Sequence, residues 1–283
     1  MSAFNRQSSK KKVPSERARQ FRSIIRRYYK TQGRHDLPWR LTTNPYHILV
    51  SEIMLQQTQV ERVIDKYHHF LHLFPDFSSL AEASVHSILN AWKGLGYNRR
   101  AIAMQRTAQT VMKKYGGALP SSEELLQQLP GIGHATASSI CAFAFNMPTS
   151  FIETNIRRVF IHFFFPGRDN VKDSEILPLV QATLVRSNPR DWYAALMDYG
   201  TMLKKGVPNP NTRSSRYRKQ SPFEGSRRQL RGRVLRIVME DPGITEAALR
   251  RKSEADADRL KEVLRLLEKE GFLQKEGMRY RIV

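Results

Sequence analysis

Val60, Val63, Ile64, Tyr67, Phe70, Leu71 and Phe74 recur at spacings of three and four residues. An amphipathic helix satisfies that period and a strand does not. Ile24, Ile25 and Tyr28 begin a similar face earlier in the chain. Pro38, Pro45, Pro75, Pro120 and Pro130 fall between such stretches, where proline punctuates helices rather than kinking them. No alternating apolar and polar pattern appears before the last dozen residues. The pattern predicts a mainly α fold, a bundle of short helices.

A chain of 283 residues with 40% hydrophobic content has enough material for a real core, in one large domain or two smaller ones. Its 47 Lys and Arg against 26 Asp and Glu give a net charge of +21. Such an excess attracts polyanions, and nucleic acid is the first candidate. A small neutral substrate would give no reason for it. No apolar run approaches the ~20 residues of a membrane span, and no amphipathic or lipidated anchor is evident. The opening stretch MSAFNRQSSKKKVPSER has no apolar h-region, so secretion is not expected. The expected location is cytoplasmic, nucleoid-associated, or nuclear. Cys141 stands alone, which excludes disulfides within the chain and cysteine-held zinc or iron–sulfur sites.

Residues 1–14 are polar and basic and read as a disordered arm, followed by a helical core over 15–205. The segment GVPNPNTRSSRYRKQSPFEGSRRQLRGR (206–233) changes composition abruptly. Arg213, Arg216, Arg218, Lys219, Arg227, Arg228, Arg231 and Arg233 stand there against one acid, Glu224. It reads as a long basic loop and a domain boundary, with the linker over 206–227 and a separate domain over 228–283. Val234, Leu235 and Val238 then mark one helix, ITEAAL a short second, and Leu260, Val263, Leu264 and Leu267 the face of a third. FLQKEGMRYRIV gives two short strands around Glu276–Gly277. Three helices and a hairpin in this order resemble a winged helix, a fold that binds DNA or docks proteins.

LPGIGHATA (129–137) is the most specific local signal. Gly131 and Gly133 bracket Ile132 and allow a tight turn, and the N–H groups of the helix that follows can hold an anion. The plainer reading is a joint between two helices. In NPYHILVSEIMLQQTQVERV (44–63), Glu52 interrupts the apolar run from Ile48 to Leu55. Desolvating a carboxylate costs several kcal/mol unless it is paired or protonated. A raised pKa would make Glu52 a proton donor near neutrality; an exposed glutamate on a polar helix face is the alternative. FIETNIRRVF (151–160) sets Glu153 after two apolar residues. It is either a helix-start carboxylate or half of a catalytic pair.

Taken together, LPWR (37–40), SEIMLQQTQV (51–60), GLGYNRRA (94–101), LPGIGHATA, IETNIRRV (152–159) and MDYGTML (197–203) stand in the order and rough spacing of the helix–hairpin–helix DNA glycosylases. The chain most resembles the MutY-type adenine glycosylases, over roughly residues 17–205. That resemblance implies a two-lobed helical fold gripping double-stranded DNA at a cleft, with one lobe over 37–150 and the other over 15–36 plus 151–205. It implies that Glu52 protonates the departing adenine and that Glu153 supports the oxocarbenium-like sugar. Leu55, Gln56 and Gln57 would fill the gap left by the flipped base, with Tyr97 and Asn98 in a second stack-probing loop. Leu129, Gly131, Ile132, Gly133, His134 and Ala135 would form the phosphate clamp, which grips backbone without reading sequence.

Four departures qualify the resemblance. The family usually has aspartate where this chain has Glu153, and misplacing a carboxylate by about an ångström can slow a reaction ~100-fold. The lysine nucleophile of bifunctional relatives is replaced by Ala135, so no Schiff base forms by that route and a monofunctional enzyme is expected; separately, the protein is expected to be a monomer. LKKGVPNPNTRSSRYRKQ contains none of the four cysteines of the usual iron–sulfur cluster. No cofactor or metal is therefore expected, and Arg213, Arg216 and Arg218 would meet phosphates instead. The C-terminal segment does not look like the domain with which MutY proteins inspect oxidised guanine. Removal of thymine or uracil opposite guanine remains a second reading, although QQTQV leans toward adenine. A non-catalytic DNA damage-binding protein is the third.

Overall fold

The computed structural model describes residues 15–206 and 208–283, apart from the side chain of Ser15. The basic arm assigned to 1–14 lies outside the described residues. In chain order the elements are α1 (Ser15–Gln32), α2 (Pro45–Met54), α3 (Val60–Leu73), α4 (Phe77–Glu82), α5 (Val85–Ala91), α6 (Arg99–Tyr115), α7 (Glu123–Gln127), α8 (His134–Phe145), α9 (Thr154–Phe164), α10 (Asp173–Thr183), α11 (Pro189–Gly206), α12 (Arg227–Glu240), β1 (Ile244–Thr245), α13 (Glu246–Ser253), α14 (Ala257–Lys269), β2 (Leu273–Glu276) and β3 (Arg279–Ile282). Short 3-10 turns occupy Pro38–Arg40 and Pro210–Arg213.

Short polar side chains set many of the helix starts. Asp76 and Ser79 form a capping box on α4, and Ser122 accepts the Leu125 N–H on α7. Ser226, Thr245 and Asp256 do the same for α12, α13 and α14. Each satisfies an N–H group that the first helical turn leaves unpaired.

The chain forms two compact units. The first takes in the described residues up to Glu52, Ser121–Gln128 and Ile132–Arg218; the second takes in Ile53–Pro120, Leu129–Gly131 and Lys219–Val283. In the first unit α8 is buried from Ala137 to Ala144 without a break, as suits a helix enclosed by others. The helices α9 and α11 approach so closely that a Cβ on Gly200 would lie 2.6 Å from the Asn155 Cβ. Phe21 of α1 packs against Phe160 and Trp192, with ring centroids 5.2 and 5.9 Å away.

Asp198 decides where the LPWR segment belongs. Buried on α11, its carboxylate accepts the Arg34 backbone N–H at 2.8 Å and the two Arg40 Nη groups at 2.6 and 2.8 Å. Burial alone would raise its pKa, but Arg40 and Arg34 hold it below the usual carboxylate value. The units therefore do not follow the expected lobes of 37–150 and 15–36 plus 151–205: residues 37–52 and α8 join α11 in the first unit.

In the second unit, α12 to α14 and the strands share one apolar core. Val234, Leu235, Val238, Leu249, Leu260, Val263, Leu264 and Leu267 pack there with Leu89 of α5 and Ile102 of α6. Glu270 pairs with Arg231 at 2.6 Å and also with Arg99. The strands form an antiparallel sheet in the order β1–β3–β2, with Ile244 opposite Tyr280 and Leu273 opposite Ile282. The alternation rule missed β1, which is two residues long. ITEAAL divides there because Thr245 has an extended backbone and caps α13 with its hydroxyl.

The basic segment is not one loop. α11 runs on to Gly206, and α12 already begins at Arg227. Between them the Val171 N–H donates to the Arg213 carbonyl and the Val171 carbonyl accepts the Ser215 N–H, both at 2.9 Å. These bonds hold 213–215 to the first unit.

Candidate active site

Glu52 stands near the end of α2 among the buried side chains of Leu49, Val50, Ile53 and Met54. Burial pushes its pKa up to about 7; the Ser139 hydroxyl, hydrogen-bonded to it, works in the other direction, and the charge of Glu153 adds to the rise. Ser139 Oγ also donates to the Thr136 carbonyl at 3.0 Å. A hydroxyl carries one proton, so Ser139 gives it either to the Thr136 carbonyl or to the Glu52 carboxylate, and only the second bond favours the ionised form of Glu52. The arrangement suits a proton donor near neutral pH.

Glu153 is the N-cap of α9. Its Oε1 accepts the Ile156 N–H at 2.7 Å, and its Oε2 lies 3.4 Å from the Asn155 side-chain nitrogen. Burial raises this carboxyl too, opposed by the Asn155 and Ile156 N–H groups and by the charges of Arg157 and Arg158. The buried Arg158 side chain holds the neighbourhood together. It donates to Asn155 Oδ1 at 2.6 Å, to the Gly200 carbonyl at 2.7 Å and to Asn209 Oδ1 at 3.1 Å. Asn211 Nδ2 donates to the Thr154 carbonyl at 2.9 Å. One carboxyl faces an apolar helix and a hydroxyl; the other faces N–H groups and arginines. Glu52 and Glu153 both belong to the first unit.

In LPGIGHATA, Leu129 and Ile132 are buried, while Gly131, Gly133 and His134 are exposed and Ala135 is half-buried. Any contact that Leu129 and Ile132 make with a ligand is therefore through backbone. Gly131 has φ +77°, and a Cβ there would lie 2.7 Å from the Ala103 Cβ. Gly133 has φ −87° and opens α8 with nothing within 4 Å of a built Cβ. The fold requires the first glycine but not the second. His134 Nε2 lies 3.9 Å from Glu123, whose carboxylate also accepts the Ser138 hydroxyl.

Leu55, Gln56 and Gln57 follow α2 in the second unit, where Gln57 is exposed with φ +54°. Tyr97, with φ +48°, is 42% exposed, and its hydroxyl accepts from Gln220 at 2.7 Å. Asn98 is the N-cap of α6 but makes no side-chain cap bond. Of the loop arginines, Arg213 is half-buried and donates to the Phe165 carbonyl at 2.6 Å. Arg216 reaches Asp173 at 3.2 Å, and Arg218 donates to the Tyr217 carbonyl at 2.9 Å while remaining exposed. Arg213 is thus engaged within the fold, leaving Arg216 and Arg218 on the surface.

Sequence reasoning missed Ser139, Asn155, Arg158 and Arg100. Arg158 had a signal: it lies between Ile156 and the apolar run Val159 to Ile161. The donor set does not fit an iron–sulfur cluster, because Cys141 is the single cysteine and its buried thiol donates to the Ser121 carbonyl at 3.1 Å. Among the described residues, no group of three His, Cys, Asp or Glu is placed to hold a metal, and no helix is long and apolar enough to cross a membrane.

Residues 50–177 match the family model described as the HhH-GPD superfamily base excision DNA repair protein. The chain is 37% identical over 187 residues to the adenine DNA glycosylase of Buchnera aphidicola subsp. Baizongia pistaciae, covering 65% of this chain and 52% of that protein. It thus spans about half the length of that relative. The adenine DNA glycosylase of Mycolicibacterium smegmatis is 31% identical over 225 residues, covering 74% of this chain and 77% of its own. The solved structure of a thermostable thymine-DNA glycosylase superposes with a TM-score of 0.60 at 26% identity, over 66% of this chain and 87% of that one.

Proposed function

Because the chain belongs to the HhH-GPD superfamily of base excision DNA repair proteins, we propose that it is a monofunctional DNA glycosylase. It removes a flipped adenine lying opposite guanine or oxidised guanine and leaves an abasic site. The observation that carries this reading is a pair of carboxyls in unlike surroundings: burial raises both, Glu52 to about 7, while the Asn155 and Ile156 N–H groups and the charges of Arg157 and Arg158 favour the ionised form of Glu153. Glu52 gives its proton to the departing base as the N-glycosidic bond breaks. Glu153, ionised, stabilises the cationic sugar. Water then forms the new bond to the sugar carbon and releases a proton. Ala135 offers no amine to attack the sugar, so the strand is not cut by Schiff-base chemistry.

The hairpin holds a DNA phosphate on the N–H groups at the start of α8. The bare, negative-φ Gly133 supports this, since the fold has room for a side chain there that an approaching phosphate would not. Arg216 and Arg218 add phosphate contacts. The elements from α12 onward act as a winged helix, and no iron–sulfur cluster takes part.

A second reading, thymine or uracil removal opposite guanine, draws support from the likeness to the thermostable thymine-DNA glycosylase. Single-turnover base release separates the two, using duplexes with adenine opposite oxidised guanine, adenine opposite guanine, thymine opposite guanine and uracil opposite guanine. Release from the adenine duplexes is the expected result. Release confined to the pyrimidine duplexes would transfer the assignment, and tight binding without release would leave a damage-binding protein.

A further inference from the structure

Arg100, the second residue of α6, reaches two loops at once within the second unit. Its Nη1 donates to the carbonyls of Ile53 at 2.8 Å and Met54 at 3.1 Å, at the end of α2, and to that of Gln56. Its Nη2 donates to the Thr58 hydroxyl at 3.2 Å and to the carbonyls of Leu95 and Gly96 at 3.3 and 3.2 Å. The guanidinium carbon lies 5.4 Å from the ring centroids of both Trp92 and Tyr97. A planar fork with donors on two edges can span the loops in this way, whereas an ammonium group is a single point. Arg99, next in sequence, turns instead to Glu270.

Each of these loops contains a non-glycine residue in the left-handed region, Gln57 at φ +54° and Tyr97 at φ +48°. Side chains with a Cβ adopt that conformation only when their surroundings impose it. Arg100 binds the carbonyl just before Gln57 and the carbonyl just before Tyr97. One guanidinium thus holds the peptide group that precedes each left-handed residue.

We infer that Arg100 is a positioning residue that fixes the Leu55–Gln57 and Gly96–Asn98 loops as one preformed element for opening the base stack. This rests on the glycosylase reading, in which both loops probe the stack. Burial lowers the Arg100 pKa to about 10, so the guanidinium stays charged at neutral pH. Ordering the two loops before DNA arrives removes an entropic cost from the flipping step.

The test uses the full chain and a duplex with 2-aminopurine beside the target adenine, whose fluorescence rises when its neighbour leaves the stack. Arg100→Lys is expected to bind the duplex within about threefold of the unsubstituted protein, to lose most of the fluorescence rise, and to release base at least ~10-fold more slowly. In a Gln57→Ala background, the same substitution should slow release by less than about threefold, because coupled residues are not additive. Thr58→Val, which removes one acceptor and keeps the charge, is the milder second variant and should reduce the rise about twofold. A full fluorescence rise in both Arg100→Lys and Thr58→Val, or strictly additive effects with Gln57→Ala, would overturn the inference. Unstacking by the unsubstituted protein without base release would defeat the glycosylase reading and leave the loop inference standing.

Discussion

Glu153 accepts the Ile156 backbone N–H at 2.7 Å, so the carboxyl proposed to support the sugar cation is also the cap of α9. The two roles separate by substitution. Glu153→Gln keeps an oxygen for the Ile156 N–H and loses the charge. Urea unfolding should show it within about 0.5 kcal/mol of the parent, and Glu153→Ala lower by about 1 kcal/mol. Base release should fall at least ~100-fold in both. Parent-like release by Glu153→Gln would reduce Glu153 to a helix cap.

Glu52 makes the protein less stable as its proton leaves. Its folded pKa, about 7, lies above the ordinary glutamate value of 4.5. The folded state therefore holds this proton more tightly, and the contribution is complete below the ordinary value. It is lost as pH rises from there through the folded pKa. Glu52→Gln should be more stable than the parent by about 1–3 kcal/mol at pH 8 and nearly equal to it at pH 4.5. Denaturant midpoints at the two values measure the difference; an equal gap at both would show that burial does not shift this carboxyl. Base release should likewise decline above about pH 7 as the acid deprotonates.

Asp198 carries the reverse sign. Despite its burial, Arg40 and Arg34 keep its pKa below the usual carboxylate value, so its contribution holds above the ordinary pKa and fades as pH falls through the folded one. Asp198→Ala leaves two arginines without their carboxylate and should cost about 3–5 kcal/mol by urea unfolding at pH 7. A loss below about 1 kcal/mol would mean that the LPWR segment docks on α11 by packing alone.

The two hairpin glycines should respond differently. Gly131→Ala meets both a positive φ and the Ala103 Cβ 2.7 Å away, so it should lower the melting temperature. Gly133→Ala fits the free protein and should melt like the parent. It should nevertheless weaken duplex binding by about tenfold or more if the N–H groups there meet a phosphate. Fluorescence anisotropy with a labelled duplex reads the second effect, and unchanged affinity would remove Gly133 from the clamp.

Much of this site was legible because its signals are local. Glu52 interrupts an apolar run, Gly131 and Gly133 bracket a turn, and Glu153 stands where a helix begins. Residues defined by long-range contacts were not. Ser139 reads as one small residue among several in ATASS, and only the packing of α8 brings it to Glu52. In NRRA nothing local separates Arg99, which turns to Glu270, from Arg100, which turns to the loops. The division of the chain was hidden for the same reason, since Arg40 and Asp198 are 158 residues apart.

The most direct test of the account is single-turnover base release by Glu52→Gln, with duplex binding measured on the same preparation. If Glu52 is the acid, release from the adenine duplex should fall about 100- to 10,000-fold while the dissociation constant stays within about threefold of the parent. Release at the parent rate with parent-like binding would contradict it.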